Sequence, residues 1–133
     1  MAPKRGWVIA CFLALLAACD TATDPPSAGN PATTISLGAA GLSPTSLQLS
    51  PGSTVTFEND DGVEHLIRSD PYPADTDCPE LNVQLLSPAM SQTATMGSTP
   101  KTCGFHDDLH ATDTAFQGSI VVKAVTTYTP VPY

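Results

Sequence analysis

The sequence has few positive charges. Five of its 133 residues are Lys or Arg, against 13 Asp or Glu, which gives a net charge of −8. A chain this poor in cations cannot neutralise phosphates, which excludes sequence-independent binding to nucleic acid or to an anionic bilayer. We therefore expect that any charged partner is basic.

Long apolar runs and familiar catalytic motifs are also missing. The longest uncharged apolar stretch, residues 7–18, has 12 residues, whereas a membrane-spanning helix needs about 20. The chain contains no nucleophile elbow, no Gly-rich phosphate loop and no His-Glu-x-x-His pair. Its length limits it to one ordinary domain. We therefore predict a single domain that is not an enzyme.

The N-terminus has the features of an export signal. Lys4 and Arg5 precede the apolar stretch, which predicts that residues 1–18 are a lipoprotein signal peptide. The stretch ends in Leu-Ala-Ala-Cys19, which resembles the lipobox of bacterial lipoproteins and implies that Cys19 carries the lipid. The alternative is an ordinary signal peptide that ends near a Cys. Residues 19–34, which are rich in Thr, Pro and Ala, then form the lipid anchor and a flexible tether. We expect an extracytoplasmic protein, on the periplasmic side or the cell surface, that contacts a bacterial membrane only through this anchor.

The rest of the chain is typical of short strands joined by turns. It is rich in Pro and Gly, and apolar residues alternate with polar ones. The pattern predicts an all-β, two-sheet Greek-key sandwich of about seven to eight strands over residues 35–123, followed by a tail at 124–133. Strands are predicted at residues 35–37, 47–49, 55–57, 63–67, 92–96 and 119–122, with a short apolar patch at 83–85.

Four residues of this domain could bind a metal: His65, Cys103, His106 and His110. Cys103 and His106 lie close together in the sequence, and His65 lies on a distant earlier strand. A thiolate and two imidazoles suit a copper ion that alternates between Cu(I) and Cu(II), because soft sulfur favours Cu(I) and imidazole accepts both states.

This arrangement resembles the cupredoxins, the blue-copper fold family. The resemblance runs from the Pro44 to Asn59 segment, through the turn before His65, to the closing Gly118-Ser-Ile-Val-Val strand. It implies one copper ion bound by His65, Cys103 and His106. The family usually has an axial Met before the closing strand, but this chain has Phe116, and the loop that follows His106 is longer than usual. The resemblance thus leaves either an apolar axial position or His110 as a fourth ligand.

The alternative for Cys103 is a disulfide with Cys78. Two thiols in an oxidising compartment tend to pair, and a bridge that closes a loop of about 25 residues would contribute roughly 3 to 4 kcal/mol. A Cys78–Cys103 bridge would leave Cys103 without a thiolate that could bind copper. The three His residues, with Asp107 or Asp108, would then form a nitrogen and oxygen site for Cu(II) or another divalent metal.

Two functions remain open from the sequence. The first is a monomeric, membrane-tethered copper protein that performs one-electron transfer or copper handling, with a basic redox protein or copper-handling protein as its partner. The second is a cupredoxin-like binding or structural module that is stabilised by a Cys78–Cys103 disulfide, with a His-only metal site or no metal. Neither function involves nucleic acid.

Overall fold

A computed structural model describes residues 33–124 of the chain. The predicted export signal, Cys19, most of the tether and the tail beyond residue 124 lie outside the described residues. Eight strands form the described part: β1 (Thr34–Gly38), β2 (Gly41–Ser43), β3 (Ser46–Leu49), β4 (Thr54–Asn59), β5 (Ile67–Ser69), β6 (Ser91–Thr95), β7 (Lys101–Asp107) and β8 (Gln117–Val122). Three short 3₁₀ turns are added at Pro79–Leu81, Asp108–His110 and Thr114–Phe116.

The strands form two four-stranded sheets. The first sheet has the order β2-β1-β4-β6 and the second has the order β3-β8-β7-β5. Both are mixed, because β1 runs parallel to β4 and β3 runs parallel to β8, while the other neighbours are antiparallel. The chain changes sheet at every connection from β2 to β7. The predicted all-β, two-sheet sandwich is confirmed.

The core lies between the two sheets and follows the predicted alternation. Ile35 and Leu37 of β1 are fully buried, as are Val55 and Phe57 of β4, whereas their neighbours in the sequence are not. Phe57 meets Phe105 of the opposite sheet edge-on, with ring centroids 5.3 Å apart. Truncation of such a buried ring to Ala typically costs about 3–5 kcal/mol. These contacts fix how the two sheets are stacked.

The predicted strand at residues 63–67 forms only in part. Val63 is 49% exposed, His65 makes one isolated bridge with Leu86, and the regular strand begins at Ile67. The reason is the buried side chain of Asn59. Its amide donates to the carbonyl oxygen of Val63 at 2.8 Å and to that of Leu86 at 2.9 Å. The Val63 carbonyl is therefore satisfied by a side chain instead of a neighbouring strand.

A disulfide joins the second sheet to the loop that covers one end of it. Cys78 and Cys103 are bonded, with their Cα atoms 5.8 Å apart and 25 residues between them in the sequence. Both are buried, with 1% and 0% exposure. The bridge therefore anchors the segment around the first 3₁₀ turn to the middle of β7. Within residues 33–124, no helix is long and apolar enough to cross a membrane.

Candidate metal centre

Asp107 is a buried carboxylate at the end of β7. Side chains alternate along this strand, so Asp107 shares the interior face with Cys103 and Phe105, and it has no solvent exposure. Its Oδ1 accepts the backbone N–H of Leu66 at 2.8 Å and that of Leu109 at 3.1 Å. The second of these bonds caps the 3₁₀ turn Asp108–His110.

Two imidazoles converge on the other oxygen of Asp107. His65 Nδ1 lies 2.7 Å from Asp107 Oδ2, and His110 Nδ1 lies 2.5 Å from the same atom. Burial alone raises the pKa of Asp107, but the hydrogen bonds from Leu66, His65, His110 and Leu109 outweigh burial and lower it. The carboxylate is therefore ionised and can only accept, so both Nδ1 atoms donate a proton to it.

The backbone around His65 fixes its ring in the interior. The N–H of His65 donates to the Leu86 carbonyl at 3.0 Å, and the N–H of Leu86 donates back at 2.8 Å. The same Asn59 amide that interrupts the strand also donates to the Leu86 carbonyl, which therefore accepts two hydrogen bonds. The ring is fully buried, and its Nε2 has no hydrogen-bond partner, with Asp61 Oδ2 as a neighbour at 3.5 Å.

His110 is the exposed member of the cluster, and the ring of Phe116 packs against both imidazoles. The His110 side chain is 36% exposed, whereas Asp107 is fully buried. The Phe116 ring lies 5.0 Å from the ring of His65 and 5.2 Å from that of His110. Phe116 can approach this closely because β2 carries Gly41, whose φ is +116° and whose position leaves no room for a Cβ against the Ala115 carbonyl.

The donor set of this cluster suits a borderline divalent metal. Potential ligand atoms of His65, Asp107 and His110 all lie within 4.8 Å of one another. Two imidazole nitrogens and one carboxylate oxygen favour Cu(II) or Zn(II), and the general affinity order of divalent metals favours copper. Phe116 supplies no donor atom beside them. The cluster therefore fits a metal site with nitrogen and oxygen ligands and without sulfur.

The four predicted ligands do not form a single cluster. Cys103 is bonded to Cys78 and lies four residues before Asp107, which is about 13 Å along a strand. His106 lies on the opposite face of β7, where its Nδ1 is 2.9 Å from Asp70 Oδ1. The structure thus brings His65 and His110 together with Asp107, one of the two carboxylates that the sequence offered for a site without sulfur, and separates Cys103 and His106 from them.

The sequence contained a signal for Asp107 as the third member. The spacing that joins Cys103 to His106 recurs four residues later between Asp107 and His110. The loop from His106 to Phe116 is longer than the cupredoxin resemblance implies, whereas the segment from His110 to Phe116 is four residues shorter. Loop length thus favours Asp107 and His110 over Cys103 and His106 as the ligands.

Comparisons with known proteins give structural matches only, because no family model and no curated protein match the chain. A purple cupredoxin from Nitrosopumilus maritimus is similar, with a TM-score of 0.56 and 20% identity over 68% of this chain and 99% of that one. Oxidised plastocyanin from Dryopteris crassirhizoma has a TM-score of 0.54 and 28% identity over the same shares. A Cu-containing nitrite reductase from Thermus scotoductus SA-01 has a TM-score of 0.56 and 20% identity over 74% of this chain but 23% of that one.

Proposed function

Because residues 33–124 form a cupredoxin-like domain, we propose that the protein binds one Cu(II) ion through His65, Asp107 and His110 and serves in copper handling. The observation that carries this proposal is the convergence of His65 Nδ1 and His110 Nδ1 on Asp107 Oδ2, at 2.7 and 2.5 Å. Asp107 would take the role that the cupredoxin resemblance assigns to a thiolate. Phe116 would take the place of the axial Met.

The Asp107 carboxylate supports copper handling over one-electron transfer as the activity of the proposed copper protein. A hard oxygen donor stabilises Cu(II), whereas the thiolate that favours Cu(I) is engaged in the disulfide. The copper ion would supply a Lewis-acidic, mostly divalent centre. The residues around it favour storage or delivery of oxidised copper over rapid one-electron exchange. An enzymatic role has no support in this arrangement.

Metal binding through Nδ1 requires a proton to move on His65. Nδ1 carries the proton that faces Asp107, so Nε2 would hold the proton of His65 when Nδ1 is a ligand. Asp61 Oδ2, 3.5 Å from Nε2, is the acceptor closest at hand. A carboxylate behind a metal-binding imidazole orients the ring and raises its basicity. Asp61 is thus the proposed support of His65.

We propose that copper enters the site, and that a partner protein docks, at His110. Its ring is the exposed member of the cluster, and Leu109 beside it in the sequence is 51% exposed. A basic copper-handling or redox protein would be attracted by the acidic chain, and its association would weaken with salt.

We further propose that Cys19 is lipidated and that residues 19–34 tether the domain outside the cytoplasm. Cys19→Ala should then release the protein from the membrane fraction.

A copper titration tests the proposed centre. Purified protein should bind Cu(II) in a colourless or pale complex without intense thiolate-to-copper absorption. His110→Ala should abolish the tight binding of the first equivalent, and Asp107→Asn should weaken it. Asp77→Asn is the matched control for charge, because Asp77 is exposed and lies outside the cluster. Tight binding that is unchanged in His110→Ala would refute the assignment.

The second candidate function is a disulfide-stabilised module without a metal. The observation that favours it is that the buried Asp107 carboxylate is already hydrogen-bonded to both imidazoles. It predicts that Cu(II) does not bind at stoichiometric concentrations and that His110→Ala changes only stability. The same titration therefore separates the two functions.

A further inference from the structure

A second His and carboxylate cluster lies on the opposite face of β7 from the copper site. It consists of His106, Asp70, Asp75 and Asp108, and we refer to it as the His106 cluster. The His106 side chain is 3% exposed, whereas those of Asp70, Asp75 and Asp108 are 46%, 22% and 33% exposed. The Tyr72 ring covers the imidazole edge-on, with centroids 5.5 Å apart. A buried imidazole is thus surrounded by carboxylates that reach solvent.

The two nitrogens of His106 have different surroundings. Nδ1 lies 2.9 Å from Asp70 Oδ1, so it carries the proton and donates it. Nε2 is buried and has no hydrogen-bond partner. It faces Asp75 Oδ1 at 3.6 Å and Asp108 Oδ1 at 3.9 Å. Without a proton, Nε2 directs its lone pair at two carboxylate oxygens, which is unfavourable unless a proton or a metal cation lies between them.

A glycine of β7 makes room for Asp70 beside the His106 imidazole. Gly104 lies two residues before His106, and a Cβ at Gly104 would collide with Asp70 Oδ2 and would lie 3.0 Å from its Cγ. The absence of a side chain at Gly104 is what lets the carboxylate lie against the strand. A carboxylate that accepts the far N–H of an imidazole is the usual support of a metal-binding His.

We propose that the His106 cluster binds a second divalent cation of the zinc class, with His106 Nε2, Asp75 and Asp108 as ligands and Asp70 as the positioning residue. Three carboxylates surround the His106 imidazole, and one described cation, Arg68, lies beside them, with its Nε 4.0 Å from Asp75 Oδ2. The excess of negative charge matches a divalent ion.

The distances from His106 Nε2 to the two carboxylates are close to those of a formed site. Two ligands on one Zn(II) ion, with bonds of about 2.0–2.1 Å, lie roughly 3.4 Å apart in a tetrahedral shell. The observed separations of Nε2 from the two oxygens, 3.6 and 3.9 Å, exceed this by about half an ångström at most. The oxygens of Asp75 and Asp108 are not within 4.8 Å of each other, so the partly exposed Asp108 side chain must rotate towards Asp75 before both carboxylates can bind one ion.

The test uses Zn(II) and full-length protein in which the copper site has been removed by His110→Ala. This background should bind one Zn(II) ion, measured by calorimetry and by metal analysis after gel filtration. Adding His106→Gln should lower the affinity more than about 100-fold, and adding Asp70→Asn should lower it about 10- to 100-fold. Asp77→Asn, which removes the same charge at an exposed position outside the cluster, should change it less than about twofold.

Two further arms keep the proposal open to refutation. If His106→Gln lowers the melting temperature strongly, the double variant Asp75→Asn/Asp108→Asn replaces it, because both side chains reach solvent. The proposal is overturned if the His110→Ala background binds no Zn(II), or if its affinity is the same with and without His106. Neither result depends on whether copper binds at His110, so failure of the copper proposal remains distinguishable.

Discussion

The Cys78–Cys103 disulfide should be a large contributor to the stability of the domain. A cross-link that spans 25 residues removes loop-closure entropy from the unfolded chain worth about 3.5 kcal/mol at 25 °C. For a domain of this size, each kcal/mol corresponds to about 4–8 °C in melting temperature. Reduction of the bridge should therefore lower the melting temperature by about 14–28 °C. Small domains typically have about 5–15 kcal/mol of stability, so the reduced protein should remain mostly folded at 25 °C.

The measurement compares urea unfolding of the oxidised and the reduced wild-type protein, which differ in a single bond. The double variant Cys78→Ala/Cys103→Ala should be less stable than the reduced protein, because it also loses two buried sulfur atoms. Copper binding by the reduced protein should remain colourless, since Cys103 lies about 13 Å along the strand from Asp107. Equal stability of both forms, or intense thiolate-to-copper absorption after reduction, would refute the reasoning.

Three smaller perturbations follow from the contacts around the two sites. Asn59→Ala removes the side-chain donor of the Val63 carbonyl and one of the two donors of the Leu86 carbonyl, and should lower the free energy of unfolding by about 1–3 kcal/mol in urea melts; an unchanged midpoint would contradict the role of this amide. Asp61→Ala should weaken Cu(II) binding about 10-fold in calorimetry while Glu64→Ala, an exposed control, does not, and Asp61→Asn should restore part of the affinity. The pKa of Glu80 is raised by burial but lowered overall by its contacts with Lys101, 2.8 Å away. Lys101→Met should therefore destabilise the protein by less than about 1 kcal/mol at neutral pH, and this difference should vanish as the pH falls through the glutamate range.

Most of the sheet architecture could be predicted from alternation. Ile35 and Leu37 face the core as expected, because one strand face is buried between the two sheets. The prediction for residues 63–67 was only partly right, since the Asn59 side chain takes the hydrogen bond that a strand neighbour would have taken. Alternation reports which side chains are apolar, but it carries no information about side chains that bind the backbone of a distant segment.

The candidate site was harder to predict, because it depends on which face of β7 each residue occupies. Cys103 and His106 lie three apart and therefore point to opposite faces of a regular strand. Asp107 and His110 have the same spacing, but a 3₁₀ turn follows Asp107 and returns the His110 ring to the carboxylate. The sequence gives the spacing in both cases, and only the end of the strand distinguishes them. The disulfide likewise depends on spatial proximity that spacing alone cannot show.

The most direct test of the central claim is to place a thiolate at the position of Asp107. If His65, residue 107 and His110 are the ligands, Asp107→Cys loaded with Cu(II) should show the intense thiolate-to-copper absorption that the wild-type protein lacks. Glu58→Cys, at an exposed position of β4 outside both clusters, should remain pale. A folded Asp107→Cys protein whose copper complex is no more intensely coloured than that of Glu58→Cys would contradict the assignment.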